Sequence, residues 1–380
     1  MLFSVTLSLA VALSSVSAPR SSPAHALTAA SVAGLRTDGL IRAEAEVEAE
    51  VNRRAFPGAA LAIGRKGQVV VERGIGRVGW EEYEMAVDPD RTVYDVASLT
   101  KVVGTTTAVM LLVEDGRMSL NDPVGRYLPE WRYGLKGQAT IRHLLTHTSG
   151  LPAGANLWAP TPEDALGKAV NLSLIATPGT RVTYSDIGFV VLWAAAEKAA
   201  GEPLYRLLDR RVYSPLGMRS TTFLPGQGCT LCAPTAMRDD WSGLQRGRVH
   251  DPIARQLGGI AGNAGLFSTG HDLARYAAML ANQGELDGVR IFHASTVDAF
   301  TRRQYGAGSR TLGWDTAEDG ATYGHTGYTG TSIWIDPVRG SWSVLLTNRV
   351  YEPRAENRIP ALRRAVRQWV AVATEWSSLG

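Results

Sequence analysis

Ser98 and Lys101 stand three residues apart in Tyr94-Asp95-Val96-Ala97-Ser98-Leu99-Thr100-Lys101. On a helix that spacing puts a hydroxyl and an amine on one face. Serine alone is a weak nucleophile and needs a base. Lysine supplies one only when its pKa falls, which burial and the positive end of a helix dipole both favour. The surroundings of Lys101 are small and apolar, continuing through Val109-Met110-Leu111-Leu112-Val113. A buried lysine that gives up its proton is therefore the expectation. Taken alone, Ser-x-x-Lys recurs by chance and fits an exposed lysine at a helix start equally well.

Two further stretches carry suitable chemistry. Tyr184-Ser185-Asp186 falls in a predicted loop just ahead of a helix, and His325-Thr326-Gly327 is placed before a C-terminal strand. Asp186 brings a negative charge that would repel a substrate carboxylate or pair with Lys101 or His325. A histidine is positive only below its pKa, so His325 is a weaker anchor for an anion than a lysine would be.

Other patterns support bland readings. Gly74-Ile75-Gly76-Arg77-Val78-Gly79 matches a dinucleotide fingerprint, but no helix opens at its last glycine, so a glycine-rich strand and turn fits better. His143 and His147 have the spacing of a zinc motif, yet Leu144 stands where the required Glu would be, which favours structural histidines. Ser268 follows Leu266 and Phe267 and lacks the glycine of a nucleophile elbow. Cys229 and Cys232, the only cysteines, are spaced C-x-x-C in a Gly- and Pro-rich loop. That allows a local disulfide, free thiols or, less readily, redox or metal chemistry.

The elements that must position these residues follow from periodicity. A helix is predicted over about 37–54, with Leu40, Val47, Val51 and Ala55 at helical spacing. Gly58–Gly64 and Gln68–Glu72 form a hairpin around Arg65-Lys66-Gly67. One helix should run from Ser98 to about Asp115, with Gly116 ending it. Residues 140–147 and 186–200 are helical, and another helix starts near Asp272 with Thr269 as its cap. Thr331–Ile335 and Trp342–Thr347 are strands, and Arg358–Val372 closes the chain as a helix. Strands at both ends and helices between them imply one antiparallel sheet built from both termini, in an α/β (α+β) fold with a mainly helical insertion.

The 380 residues are 45% hydrophobic and 20% charged with a net charge of +3, too little charge to suggest nucleic acid as a partner. The first 18 residues are apolar and small, and Ala24-His25-Ala26 offers a cleavage site. Residues 1–26 are predicted as a signal peptide, which implies export to the periplasm or medium. No later segment reads as a bilayer span.

The order Ser-x-x-Lys, Tyr-x-Asp, His-Thr-Gly resembles the penicillin-binding protein and serine β-lactamase superfamily. It is most similar to the class C β-lactamase and DD-peptidase branch, peptidase family S12, which also holds esterases. Asn121-Asp122-Pro123-Val124, Leu144-Leu145-Thr146-His147-Thr148-Ser149-Gly150-Leu151, Gly262-Asn263-Ala264-Gly265-Leu266-Phe267-Ser268 and His325-Thr326-Gly327-Tyr328-Thr329-Gly330-Thr331 extend the likeness over roughly residues 37–372. It implies one hydrolase domain over 27–380, with a sheet region at about 37–97 and 310–380 and a helical region at about 98–309. Ser98 would be the acylated nucleophile, Lys101 its base and Tyr184 the proton shuttle to the leaving group. His325 would stand in the catalytic centre, with Asp186, Thr326 and Gly327 against substrate. The backbone N–H groups of Ser98 and Tyr328 would form the oxyanion hole. No cofactor or metal is implied, and the substrate would be a small molecule or peptide. The oligomeric state is left open. Histidine in place of lysine at position 325 disfavours an efficient β-lactamase and points to peptidase or esterase work, with a slowly deacylating penicillin-binding protein as a further alternative.

Overall fold

The run Gly58-Ala59-Ala60-Leu61-Ala62-Ile63 is apolar at every position because both faces of its strand are covered. Alternate side chains of a strand point to opposite sides. Leu61, Ile63 and Leu345 join Leu40, Val47, Leu362 and Val366 in one apolar cluster. Ala60, Ala62, Val344 and Leu346 join a larger one with Leu273 and Ala277. The computed structural model describes residues 33–226, 228–235, 245–351 and 354–375. The predicted signal peptide, residues 1–26, lies outside the described residues.

The main sheet holds β1 (Gly58–Arg65), β2 (Gln68–Gly76), β3 (Asp315–Thr316), β4 (Tyr323–Thr326), β5 (Ser332–Ile335) and β6 (Ser341–Thr347). Their spatial order is β2-β1-β6-β5-β4-β3, and every neighbouring pair is antiparallel. Strand β1 from one end of the chain thus pairs with β6 from the other, with Ala62 opposite Val344. The antiparallel sheet from both termini is as expected. Helices α1 (Thr37–Asn52) and α5 (Ile359–Thr374) cover one face. The other face meets the helical region, which includes α2 (Thr107–Glu114), α3 (Asp186–Ala200) and α4 (Gly270–Ala281). Thr269 caps α4 by accepting the N–H of Asp272 at 3.2 Å.

Two expectations need correction. The single helix from Ser98 is three: a 3-10 turn at Ala97–Leu99, a π-helix at Thr100–Thr106 and then α2. Threonine side chains account for the distortion, because they compete for backbone carbonyls. Thr100 Oγ1 donates to the carbonyl of Ala97 at 2.7 Å and Thr107 Oγ1 to that of Val102 at 2.8 Å. The helical stretch Ala97–Glu114 is also long and apolar enough to cross a bilayer, contrary to the sequence reading, but 83% of it is buried inside the fold, as in a core helix.

Tyr94–Asp95, Leu266–Ser268 and Thr222–Phe223 form a small second sheet with Leu266–Ser268 in the middle. It ties the approach to Ser98 to the segment that carries Asn263. Cys229 and Cys232 are joined in a disulfide, with Cα atoms 5.4 Å apart, beside a small cluster of Val93, Val249 and Phe267.

Candidate active site

Ser98 sits at the first helical turn, partly exposed. The residue before it, Ala97, has φ +49°, a left-handed conformation that costs a residue with a Cβ and persists only where its surroundings hold it. The carboxylate of Asp95 accepts the Ala97 N–H at 2.8 Å.

Lys101 is wholly buried. Its Nζ lies 3.0 Å from Ser98 Oγ, 3.0 Å from the carbonyl oxygen of Asn263 and 2.6 Å from Asp186 Oδ1. An ammonium has three N–H donors and no lone pair, and here three acceptors meet it. Burial alone would pull the lysine's pKa down, but Tyr184 and Asp186 outweigh it and hold the pKa above its ordinary value. The expectation of a lysine that sheds its proton is therefore corrected. The resting Lys101 donates to Ser98 and cannot accept from it. Of the two roles the sequence left to Asp186, contact with substrate and pairing with a nearby cation, the structure shows the second: it is the counter-ion of this ammonium. It opens α3, where Ser185 caps the helix by accepting the Gly188 N–H at 2.8 Å.

Tyr184 lies among two imidazole rings and two cations. Its ring centroid is 4.5 Å from that of His147 and 6.0 Å from that of His325. Lys101 Nζ lies 4.9 Å from the ring centre and the Arg310 guanidinium 5.3 Å from it. His147 accepts the Ser185 N–H at Nδ1, 3.0 Å away, so it is neutral with its proton on Nε2. Burial, helped by Arg310 and Lys101, holds its pKa well below the ordinary value. The sequence reading of His147 as structural understates its place directly behind Tyr184.

His325 and Thr326 precede the C-terminal strand β5 as expected, and they also end a strand of their own, β4, which the sequence reading lacked. Strand β4 is four residues long and includes Gly324, too little for an alternating pattern to show. His325 is buried, and its Nδ1 lies 2.9 Å from the Thr326 carbonyl oxygen. A carbonyl only accepts, so Nδ1 carries the proton and Nε2 presents a bare lone pair. Burial first, then Lys101 and Arg310, push the pKa of His325 well below its usual value. It offers no positive charge near neutral pH.

The loop after β4 is fastened to the nucleophile turn. Thr331 Oγ1 donates to the carbonyl of Val96 at 3.0 Å, and Thr329 Oγ1 to that of Asp95 at 2.8 Å. At Gly327 a Cβ would come within 2.1 Å of Thr331 Oγ1 and 2.6 Å of the Val96 carbonyl oxygen, so only glycine allows this approach. From behind, Arg363 of α5 donates to the carbonyls of Gly327 and Thr331 at 2.7 and 2.6 Å. Tyr328, whose N–H the family pattern assigns to the oxyanion hole, sits in this fastened loop, with an exposed ring stacked on His250 at 5.6 Å.

Arg310 and Arg363 were not singled out by sequence. Neither sits in a motif, and lone arginines are mostly surface residues. The remaining candidates fall outside the cluster. His143 Nδ1 accepts the Thr140 N–H at 3.2 Å in a helix cap. Ser268 is buried with its Oγ 2.8 Å from Thr221 Oγ1. Gly74 and Gly76 lie within β2.

A serine, a buried ammonium, a tyrosine and a backbone loop locked to the serine's turn define an acyl-transfer site. The comparisons agree with that class. The Beta-lactamase family profile matches residues 42–367, and the chain belongs to that family. A Salmonella agona protein named "Putative D-alanyl-D-alanine carboxypeptidase" is 31% identical over 312 residues, 70% of this chain and 72% of its own. One of the same name from Salmonella schwarzengrund is 30% identical over 353 residues, 80% and 81% of the two chains. Among solved structures, an octameric penicillin-binding protein homologue from Pyrococcus abyssi has a TM-score of 0.67 at 26% identity, covering 81% of this chain and 73% of that one. A β-lactamase/D-alanine carboxypeptidase from Yersinia pestis, 23% identical, shares the fold with a TM-score of 0.68 over 86% and 95% of the two chains. The protein is thus a serine hydrolase of this family.

Proposed function

We propose that the substrate is a peptide ending in a D-amino acid with a free α-carboxylate, as in cell-wall peptides. The observation that carries the reading is Arg310. His325 is neutral, so an anionic substrate end needs another cation, and Arg310 lies over the Tyr184 ring with most of its side chain buried. Its present partner, Asp315 Oδ2 at 3.3 Å, leaves donors of the guanidinium fork for a carboxylate. Ser98 Oγ would attack the carbonyl of the penultimate residue. As the Oγ–C bond forms and the C–N bond breaks, the Ser98 proton would pass to the Tyr184 oxygen while the phenol's own proton passes to the leaving nitrogen, which regenerates the phenol. The Lys101 ammonium would balance the negative charge on that oxygen between the two transfers. Water then hydrolyses the ester on Ser98. The apolar N-terminal stretch and the disulfide between Cys229 and Cys232 both suit an exported protein, since disulfides persist in oxidising compartments.

The test is kcat/KM for an N-acyl-D-Ala-D-Ala acid, its C-terminal amide, a nitrophenyl ester and a chromogenic cephalosporin. The acid should exceed its amide by roughly tenfold or more, since a hydrogen bond to a charged group contributes about 1.5–3 kcal/mol. Equal rates for acid and amide, with the ester far ahead, would identify an esterase; a cephalosporin turned over fastest would identify a β-lactamase.

A further inference from the structure

Asp95 is buried three residues before the nucleophile, and its contacts reach three parts of the site. Oδ1 accepts the N–H of Ala97, the residue with positive φ beside Ser98, at 2.8 Å. Oδ2 accepts the N–H of His250 at 2.7 Å, and the ring of His250 stacks on Tyr328. The backbone carbonyl of Asp95 accepts from Thr329 Oγ1. One residue thus bonds the turn that presents the Ser98 N–H, the loop that presents the Tyr328 N–H and the segment on which the Tyr328 ring rests.

The His250 segment continues the connection. Asp251 Oδ1 accepts the N–H of Ala254 and the side-chain amide of Asn263, at 2.7 and 3.0 Å, and the carbonyl of Asn263 receives Lys101. We propose that Asp95 is a positioning residue for acylation: its two carboxylate oxygens hold the Ala97 turn and the His250 segment so that the backbone donors of Ser98 and Tyr328 converge on one oxyanion. The role rests on Ser98 being the acylated serine, which labelling of Ser98→Ala tests separately.

The arrangement has a chemical consequence. Only an ionised carboxylate offers acceptors to both N–H groups without a donor of its own. Burial pushes the carboxyl of Asp95 up to about 6, against the pull of the His250 and Ala97 N–H groups. The charged groups facing it oppose each other: Asp251 adds to the rise and Arg255 reduces it. Below pH 6 one oxygen becomes a hydroxyl, a weaker acceptor that also brings a donor of its own to the N–H it faces.

The experiment compares wild type with Asp95→Asn, which keeps the shape but turns an amide N–H toward one of the two backbone donors. Acylation by a neutral ester and affinity for phenylboronic acid, which forms a tetrahedral adduct on the serine, are measured from pH 4.5 to 8. In wild type both should fall as pH drops through about 6. In folded Asp95→Asn the acylation rate and boronate affinity should fall together by roughly ten- to a hundred-fold. KM should stay within about two-fold, and the decline near pH 6 should disappear. A folded variant with unchanged acylation and boronate affinity would overturn the role, as would one that loses only thermal stability. If the variant does not fold, the boronate titration is read in wild type and in His250→Gln, whose main-chain N–H still meets Asp95: a decline near pH 6 kept in both supports the role, and an affinity flat in wild type or a decline lost with the imidazole overturns it.

Discussion

On the helical wall of the cleft Lys101 and Asp186 face each other at 2.6 Å, with Ser98 and Tyr184 against the ammonium. On the sheet wall His325 is neutral, and the loop from Gly327 to Thr331 is held through backbone carbonyls by Thr329, Thr331 and Arg363. One wall keeps charge beside the reacting hydroxyl. The other fixes geometry and contributes no charge of its own at position 325. The lesson concerns division of labour. In the proposed mechanism proton movement would belong to side chains of the helical region, transition-state stabilisation to backbone donors pinned against it, and the cation for substrate would come from Arg310, outside the family motifs.

The largest effect should come from the helical wall. Ser98→Ala is expected to lower turnover by about 10³-fold or more, as removal of a catalytic nucleophile does, and to abolish labelling by a fluorescent penicillin or a fluorophosphonate. An adduct mapped by mass spectrometry to Ser268 would break the assignment. Lys101→Met removes the cation beside Ser98 and takes away the ion-pair partner of Asp186. Its acylation rate should fall by roughly 10²- to 10³-fold, read in a stopped-flow burst.

Arg310→Ala sharpens the comparison by removing the third charge. For the D-Ala-D-Ala acid, kcat/KM should drop roughly ten- to a hundred-fold, mostly through KM, with a much smaller loss for the nitrophenyl ester. Equal losses on both substrates would make Arg310 a support of Tyr184 and not an anchor for carboxylate. The smallest effect belongs to the sheet wall. Because the pKa of His325 is held well below its usual value, that residue stays neutral from pH 6 to 8 and should impose no pH dependence there. His325→Gln keeps an uncharged polar group, so the acid and ester profiles should keep their shape within a few-fold in rate; a limb that vanished between pH 6 and 7 would show that His325 titrates.

The fold was legible because its signals were long and local: the apolar strand at Gly58–Ile63, the cap at Thr269 and the helix at the C-terminus. The short motifs were legible because Ser98, Lys101, Tyr184 and His325 occur in an order that a known family shares. What remained hidden was set by distant neighbours. The protonation of Lys101 depends on Tyr184 and on Asp186, 85 positions away in sequence, with the Asn263 carbonyl as a further acceptor. The roles of Arg310, Arg363 and Asp95 arise from contacts across the fold that no spacing rule encodes. Burial, read from apolar neighbours, favoured a neutral Lys101; Asp186 was named as a possible partner, but sequence alone could not show that it meets the ammonium at 2.6 Å.

That protonation state is the claim most open to a direct test. The pH dependence of ester kcat/KM should be followed from pH 6.5 to 11 in wild type, Asp186→Asn and Lys101→Arg. With Lys101 a resting ammonium, the wild-type profile should show no rise through pH 7–9. In Asp186→Asn the ammonium loses its carboxylate partner while burial and Tyr184 remain, so that a break assigned to Lys101 should move to lower pH. A wild-type rise with a midpoint between pH 7 and 8, lost in Lys101→Arg and unmoved in Asp186→Asn, would contradict the account and restore a neutral lysine as the base.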